Sequence, residues 1–449
     1  MSASSGPLRE EVRAATASVR VVVVDYDGGE LTLECLRALM ETDWDPGRLE
    51  IVLVDNGSRS SVADRVRAEM PTIRIMASDT NLGFAGGNNL ALGDLTGIDF
   101  VALINNDVTV EPGWLRPLVE TLQADPALGA TCPKLLLRDR FRRLEIVSPV
   151  TRPRWPERRS VGVRISGIRS DGDLWPRTKF PTGTWGPEWD DDGPFRWTSG
   201  AASILVPVPS SGAMPEDCEL RLDAREHRVV RIVSGSVDTA VEVGSEPAWH
   251  RVPIAGSPFD VVNSVGTETT ADGYGIDRGY LEEDRGQFET GGDVFGWHGG
   301  AVLLRSDYLH DIGLFDERLF LYYEDLELSW RGREHGWRYR YVPASVVRHV
   351  HAATASTRWL DTAYYTERNR LLVLARHASL RTTARAATRF AATTVSYAWR
   401  DAVAPLLLRE PPRAAYPRAR ARALGGFLAG APGALRSRRS ARRAGPEGR

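Results

Sequence analysis

The sequence predicts an α/β fold with a mostly parallel central sheet, an inserted antiparallel β-sandwich-like domain and a C-terminal helical tail. Three observations predict it. Over residues 18–147, short apolar runs alternate with amphipathic stretches, the pattern of successive βαβ units. Over 148–258 that alternation stops, and short β-type runs follow one another with turn residues between them. Strand and helix signals resume over 259–360, and 361–449 is Ala/Arg-rich with helical spacing.

Composition narrows the class. The chain has 449 residues, 42% apolar and 26% charged, an ordinary folded protein with room for two or three domains. Its net charge of -2 hides an asymmetry: from Arg409 onward eleven arginines face only Glu410 and Glu447. Such an end suits anionic lipid or nucleic acid. Cys35, Cys132 and Cys218 are too scattered for a disulfide scaffold or a thiolate metal site. MSASSGPLREEVRAATASVR lacks an apolar signal segment, and no run reaches the roughly 18 apolar residues of a membrane span. The expectation is a cytoplasmic chain, with peripheral contact on the inner face of the plasma membrane left open.

The elements follow in order. Val21–Val24 is a first core strand ending in Asp25-Tyr26-Asp27-Gly28-Gly29, and ELTLECLRALM places Leu33, Leu36, Leu39 and Met40 on one helical face. LEIVLV (49–54) is a second strand, ending in Asp55-Asn56-Gly57-Ser58; Ser58 or Ser60 can cap the helix SVADRVRAEM. Ile73–Met76 leads into the glycine loop Asn81-Leu82-Gly83-Phe84-Ala85-Gly86-Gly87-Asn88-Asn89, where backbone can approach a ligand closely. Phe100 to Gly113, FVALINNDVTVEPG, is a buried strand ending in Asn105-Asn106-Asp107. Open α/β sheets bind ligands outside the carboxyl ends of their strands, so Asp107 is placed to hold a divalent cation carrying a diphosphate. Each such residue alone can equally be a turn residue. Repetition at successive strand ends (Asp25 or Asp27, Asp55, Asp107) favours nucleotide binding.

In the insertion, Ala202–Val208, Arg228–Val233, Ser236–Val243 and His250–Ile254 read as strands, while 151–200 reads as irregular or short-stranded. Trp175, Trp185, Trp189 and Trp197 can stack on sugars or simply pack its core. Asp190-Asp191-Asp192 reads as a solvated loop rather than a metal motif. Farther on, VFGWHGGAVLLR (294–305) is a glycine loop feeding a strand, with His298 either a site residue or a packing histidine. In FLYYEDLELSWR (320–331), Glu324 and Asp325 begin a helix whose dipole favours their ionised forms, and Arg331 lies within reach of Glu327. The plainer account of that acidic pair is helix capping. His349 and His351 point the same way from a last strand, and an imidazole there can supply a metal ligand.

VVVVDYDGG, VLVDNGS, NLGFAGGNN, LINNDVTVEPGWL and the YYED…LxWR helix together resemble the inverting GT-A glycosyltransferases of family 2, in particular their rhamnosyltransferase-like and galactofuranosyltransferase-like branch. The resemblance covers the two segments on either side of the insertion. It implies a nucleotide-sugar-binding half (18–147), an inserted β-rich domain (148–258), an acceptor and catalytic half (259–360) and a basic helical region (361–449). It also implies nucleotide contacts from Tyr26, Asp27, Asp55, Asn81, Gly83, Asn88, Asn106 and Arg331. Mg²⁺ or Mn²⁺ would sit on Asp107 with His349 (or His351), and Asp325 would act as general base beside Glu324. The Glu367-Arg368-Asn369-Arg370 element is expected near the acceptor entrance. Two departures stand out: the first loop reads Asp-Tyr-Asp where Thr-Tyr-Asn is usual, and the metal motif has a single carboxylate. The expected reaction moves a sugar, first choice rhamnose from dTDP-rhamnose, to a hydroxyl of a cell-envelope glycan or a polyprenyl-diphosphate-linked saccharide. The alternatives are a UDP-dependent galactofuranosyl- or other hexosyltransferase, and a non-catalytic glycan-binding protein on a transferase scaffold. Nucleic acid is not an expected partner.

Overall fold

The computed structural model describes residues 17–152, 159–190, 192–208, 216–350, 359–409 and 411–443. Asp191, His351 and the leader stretch 1–16 lie outside the described residues. The chain forms two compact units: one is built from the flanking segments, and the other spans Asp139–Val262 with Leu281–Asp284.

The first unit opens with β1 (Val19–Asp25), β2 (Leu49–Asn56), β3 (Arg74–Ser78), β4 (Phe100–Asn105), β5 (Val108–Val110) and β6 (Leu128–Leu137). The inserted unit contributes β7 (Arg140–Val147), β8 (Val163–Arg169), β9 (Lys179–Thr184), β10 (Glu188–Asp190), β11 (Gly193–Val208), β12 (Asp217–Ala224), β13 (Arg228–Ser234), β14 (Val237–Val243) and β15 (Ala248–Pro253). Then come β16 (Val262–Ser264), β17 (Thr267–Thr269), β18 (Gly275–Asp277), β19 (Gly292–Val294), β20 (Ala301–Arg305) and β21 (Arg338–His349).

The central sheet runs β19-β21-β6-β20-β4-β1-β2-β3. β1, β2, β3 and β4 pair in parallel, as helical crossovers require, while β20 pairs antiparallel with both β4 and β6. Val19, Val21, Val23, Leu53, Ala102 and Leu303 are sealed in the core against the helices Glu30–Met40 and Leu115–Ala124. The carboxyl ends of β1, β2 and β4 therefore lie side by side, with Asp25 opposite Asp55 in the β1–β2 register.

Two local expectations change here. The helix Ala63–Glu69 follows Val62, and neither Ser58, whose hydroxyl donates to Asp25, nor Ser60 caps it; the Ser61 hydroxyl accepts from the Ala63 amide at 3.0 Å. The glycine stretch is not a loop: Gly83–Leu92 is a helix. Its glycines serve close packing, for a Cβ at Gly87 would stand 2.7 Å from Val24 Cγ1.

The inserted unit is an antiparallel sheet in the order β14-β13-β7-β11-β8-β12-β15, with β9 and β10 also on β11, wrapped around one apolar core in a near-barrel. Within residues 151–200, expected to be irregular or short-stranded, lie β8, β9, β10 and the first half of β11. Trp175 packs on Phe180 against that core, Trp185 donates to the Ser160 carbonyl, and Trp197 meets Phe195 edge-on. Those three are spent on packing, and Trp189 is half-buried. Asp190 and Asp192 form ion pairs with Arg164 and Arg221.

In the tail, the helices Trp359–His377, Leu380–Ala398 and Ala415–Arg443 share a core of Leu371, Leu374, Phe390, Ala423 and Phe427. The last helix is longer than its apolar spacing suggested and carries the basic run as far as Arg443.

Candidate active site

At the end of β1, Asp25 is sealed from solvent. Its carboxylate accepts from Thr32 Oγ1 (2.5 Å), Asn106 Nδ2 (3.0 Å) and Gly28 N (3.1 Å), and also from Ser58 Oγ (3.3 Å). It thus ties together the ends of three strands, and Asn106 serves that hub. Asp27 has φ +56° and accepts from the Arg59 and Ser60 amides and from Arg59 Nε. The Ser60 amide is the main cause that holds its pKa below the usual carboxylate value. Expected as a nucleotide ligand, Asp27 also staples two loops together through these bonds. Asp55 is half-buried and accepts from the Ser58 amide at 3.0 Å. Tyr26 is half-buried beside it in the first loop.

The second polar cluster was only partly foreseen. Asn56, read from sequence as a turn residue, is buried and donates to the Gly83 carbonyl (2.9 Å) and to Asn81 Oδ1 (3.2 Å) while accepting from the Leu82 amide. Asn81 also accepts from the Gly83 amide, and Asn88 donates to the Phe84 carbonyl within its own helix. Gly83 has φ +72°, and a Cβ there would lie 2.2 Å from the Phe320 carbonyl oxygen. These residues set the position of the helix Gly83–Leu92.

β5 pairs antiparallel with the end of β21, placing His349 opposite Val108. That register brings together residues far apart in the chain: Asp107 Oδ1 lies 2.9 Å from His349 Nε2. Behind the ring, His349 Nδ1 is 2.7 Å from Asn263 Oδ1, and Asn263 is fully buried. Asn263 Oδ1 can accept from Nδ1–H, which fixes the ring with Nε2 directed at the Asp107 carboxylate.

The loop Gly299-Gly300 joins this pair to the acidic helix. The Gly299 amide donates to Asp325 Oδ2 (3.0 Å), the Gly300 amide donates to His298 Nδ1 (2.8 Å), and the Gly300 carbonyl accepts from the Asn105 amide (2.9 Å). His298 therefore carries its proton on Nε2, which points toward Asp277 Oδ2 at 3.8 Å. The His298 and His349 rings lie edge to face with centroids 6.0 Å apart.

Asp325 opens the helix Glu324–Glu334 and accepts from the Leu326 and Gly299 amides. Burial raises its pKa, partly offset by His298 and those amides. Burial, then the Asp325 charge, pushes Glu324 well above the usual range, and Glu324 Oε2 is buried without a partner. The helix dipole was expected to favour the ionised form of both; burial acts the other way and raises both pKa values. The segment leading in is strained: Phe320, Tyr322 and Tyr323 have φ of +63°, +67° and +73°. Asn369, fully buried, holds it by donating to the carbonyls of Leu319 (2.7 Å), Leu321 (2.9 Å) and Tyr322 (2.8 Å). A residue expected at an acceptor entrance is a clamp under the acidic helix.

Arg331 does not join this cluster. It donates to the Ile312 and Leu314 carbonyls (2.6 and 2.7 Å) and to Glu327 (2.8 Å), so its guanidinium serves the scaffold.

Two sequence-family matches flank the insertion: residues 20–159 match the family described as Glycosyl transferase family 2, and residues 265–370 match Glycosyltransferase like family 2. The chain has a family 2 glycosyltransferase fold. This transferase chain is 23% identical over 340 residues to the N-acetylglucosaminyl-diphospho-decaprenol L-rhamnosyltransferase of Mycobacterium tuberculosis strains CDC 1551 and H37Rv, covering 73% of this chain and 75% of the relative. Among solved structures it is similar to GalNAc-T7 with UDP, GalNAc and Mn²⁺ (12% identity, TM-score 0.43, 80% of this chain and 47% of that one). It is also similar to the mannosyltransferase PcManGT of Pyrobaculum calidifontis with GDP-Man and Mn²⁺ (16% identity, TM-score 0.40, 95% and 94% covered).

A divalent cation, implied by such a fold, can be tested against the residues present. Two ligands in adjacent octahedral positions at about 2.1 Å from a cation stand about 3 Å apart, close to the 2.9 Å between Asp107 Oδ1 and His349 Nε2. Asn263 on Nδ1 is the outer hydrogen bond that a ligating histidine needs. No group of three or more His, Cys, Asp or Glu able to hold a metal occurs among the described residues. The pair thus fits part of a coordination shell, with the rest left for phosphate oxygens and water.

Proposed function

We propose that this chain is an inverting glycosyltransferase that moves a sugar from a nucleotide-diphosphate donor to the hydroxyl of a glycan acceptor. The observation that carries the proposal is the convergence of Asp107, His349, His298 and Asp325 on one two-glycine loop. Asp107 and His349 would hold Mg²⁺ or Mn²⁺, which when bound neutralises charge growing on the leaving diphosphate. Asp325 is the general base. Its raised pKa makes it a better proton acceptor, while two amide donors fix its orientation. Burial and the neighbouring Asp325 charge push the pKa of Glu324 up, so charge at this helix start is favoured on Asp325 rather than on both carboxyls. With one base on the acceptor side, the displacement is direct and inverts the anomeric centre.

The preferred donor is dTDP-rhamnose and the preferred acceptor a polyprenyl-diphosphate-linked saccharide, supported by the rhamnosyltransferase relatives. A UDP-linked galactofuranose or other hexose is the second choice. The test is nucleotide release from a panel of dTDP-, UDP- and GDP-sugars, with and without Mn²⁺, in wild type and Asp325→Asn. The expected outcome is metal-stimulated release with one donor, reduced about 10²- to 10⁴-fold in the variant while donor binding persists. Binding of glycans with no turnover of any donor would instead favour a non-catalytic glycan-binding protein.

A further inference from the structure

One edge of the helical tail is left uncovered. The helix Leu380–Ala398 continues through Trp399–Val403 into Ala404–Leu407. Val395, Trp399, Val403 and Leu407 follow at four-residue steps and so share a face, with Leu406 and Leu408 beside them. Their exposures are 69%, 48%, 41%, 65%, 61% and 45% in that order. Isolated surface leucines need no explanation, but six large apolar side chains exposed between 395 and 408 do.

The charge around this edge is one-sided. Residues 380–443 contain fourteen arginines against Asp401 and Glu410. Asp401 is paired with Arg400, and Arg409, Arg413 and Arg418 are exposed where the apolar edge ends. A second copy of the chain would bring the same positive field to the contact and be repelled. Among the described residues no helix is long and apolar enough to cross a membrane. An apolar edge with tryptophan and leucine, rimmed by arginine, instead matches a helix lying in the plane of a bilayer surface.

We propose that the Val395–Leu408 edge docks the chain on an anionic lipid bilayer, its apolar side chains entering the headgroup boundary and the neighbouring arginines meeting lipid phosphates. The inference is independent of the transferase reading. It is tested by sedimenting the full chain with vesicles of phosphatidylcholine, alone or with about a third phosphatidylglycerol. Wild type should bind the anionic vesicles and not the neutral ones. The paired substitution Leu406→Ser and Leu407→Ser, at exposed positions, should lower partitioning at least about tenfold with an unchanged circular dichroism spectrum. Arg409→Gln with Arg413→Gln should weaken binding several-fold and flatten its salt dependence. Failure of wild type to bind, or undiminished binding by the leucine variant, would overturn the proposal. So would self-association of wild type that the leucine variant abolishes, or preferential retention on duplex nucleic acid.

Discussion

Asn369 offers the most quantitative test of how the site is held. Its amide nitrogen donates to three carbonyls, those of Leu319, Leu321 and Tyr322, and its oxygen accepts from Arg368. The held segment contains three non-glycine residues at positive φ, each storing roughly 1–3 kcal/mol. Asn369→Ala removes two N–H donors shared among those three carbonyls, at about 1 kcal/mol each, and a weaker bond from Arg368, about 2.5 kcal/mol together. About 0.5 kcal/mol returns because alanine is the better helix former. The expected net loss is therefore about 2 kcal/mol in urea unfolding. The larger effect should be on turnover, because the relaxed segment ends at Tyr323, with only Glu324 between it and Asp325. A displacement of about 1 Å costs on the order of 10²-fold. Asn369→Asp should be worse still, since it keeps the volume but turns a carboxylate toward the same carbonyls. If Asn369→Ala retains stability within about 0.5 kcal/mol and turnover within about twofold, the clamp has been misread.

Three further outcomes are expected. Asp107→Ala and His349→Ala should each abolish tight Mn²⁺ binding in the presence of nucleotide, and Asn263→Ala should weaken it about 10- to 100-fold, read by electron paramagnetic resonance of the free ion. Gly28→Ala should destabilise by about 1–3 kcal/mol, because the added methyl would lie 2.1 Å from Asn106 Nδ2 and 2.3 Å from Thr32 Oγ1; thermal unfolding reads it. Glu327 is buried, which alone would raise its pKa, but Arg331, His377 and Arg376 outweigh burial and bring it to about 2. A depressed carboxylate stabilises the fold above its unfolded pKa of about 4.3 and loses that contribution as pH falls toward 2. The stability gap between wild type and Glu327→Gln should accordingly shrink in acid, measured by denaturant titration at successive pH values.

Much of the fold was legible because buried strands announce themselves. β1, β2 and β4 are apolar runs that end abruptly in polar residues, and their order follows from the alternation with helices. The proximity of Asp107 and His349 could be anticipated only through the family resemblance, which sets a histidine after the last strand beside the single-carboxylate motif. Other features were hidden for identifiable reasons. The glycines at 83, 86 and 87 permit either loop or helix, and only packing on Val24 and Phe320 selects the helix. Asn263 and Asp277 lie in a link without periodicity, so nothing local marks them. The upward shift of Glu324 was not foreseen because the dipole can be read from position in a helix, whereas desolvation depends on the tertiary neighbours. The hydrogen bonds of Arg331 to the Ile312 and Leu314 carbonyls likewise belong to chain return, not to sequence spacing.

The short ladder between β5 and β21 ties the meeting of Asp107 and His349 to completed synthesis of the unit that carries them. A nascent chain that has not yet delivered residues 338–349 owns the carboxylate but not the imidazole. Slippage of that ladder by a single position would also turn the ring to the opposite side of the sheet. A half-made or misregistered product therefore lacks the carboxylate–imidazole pair, which arrives only with correct assembly.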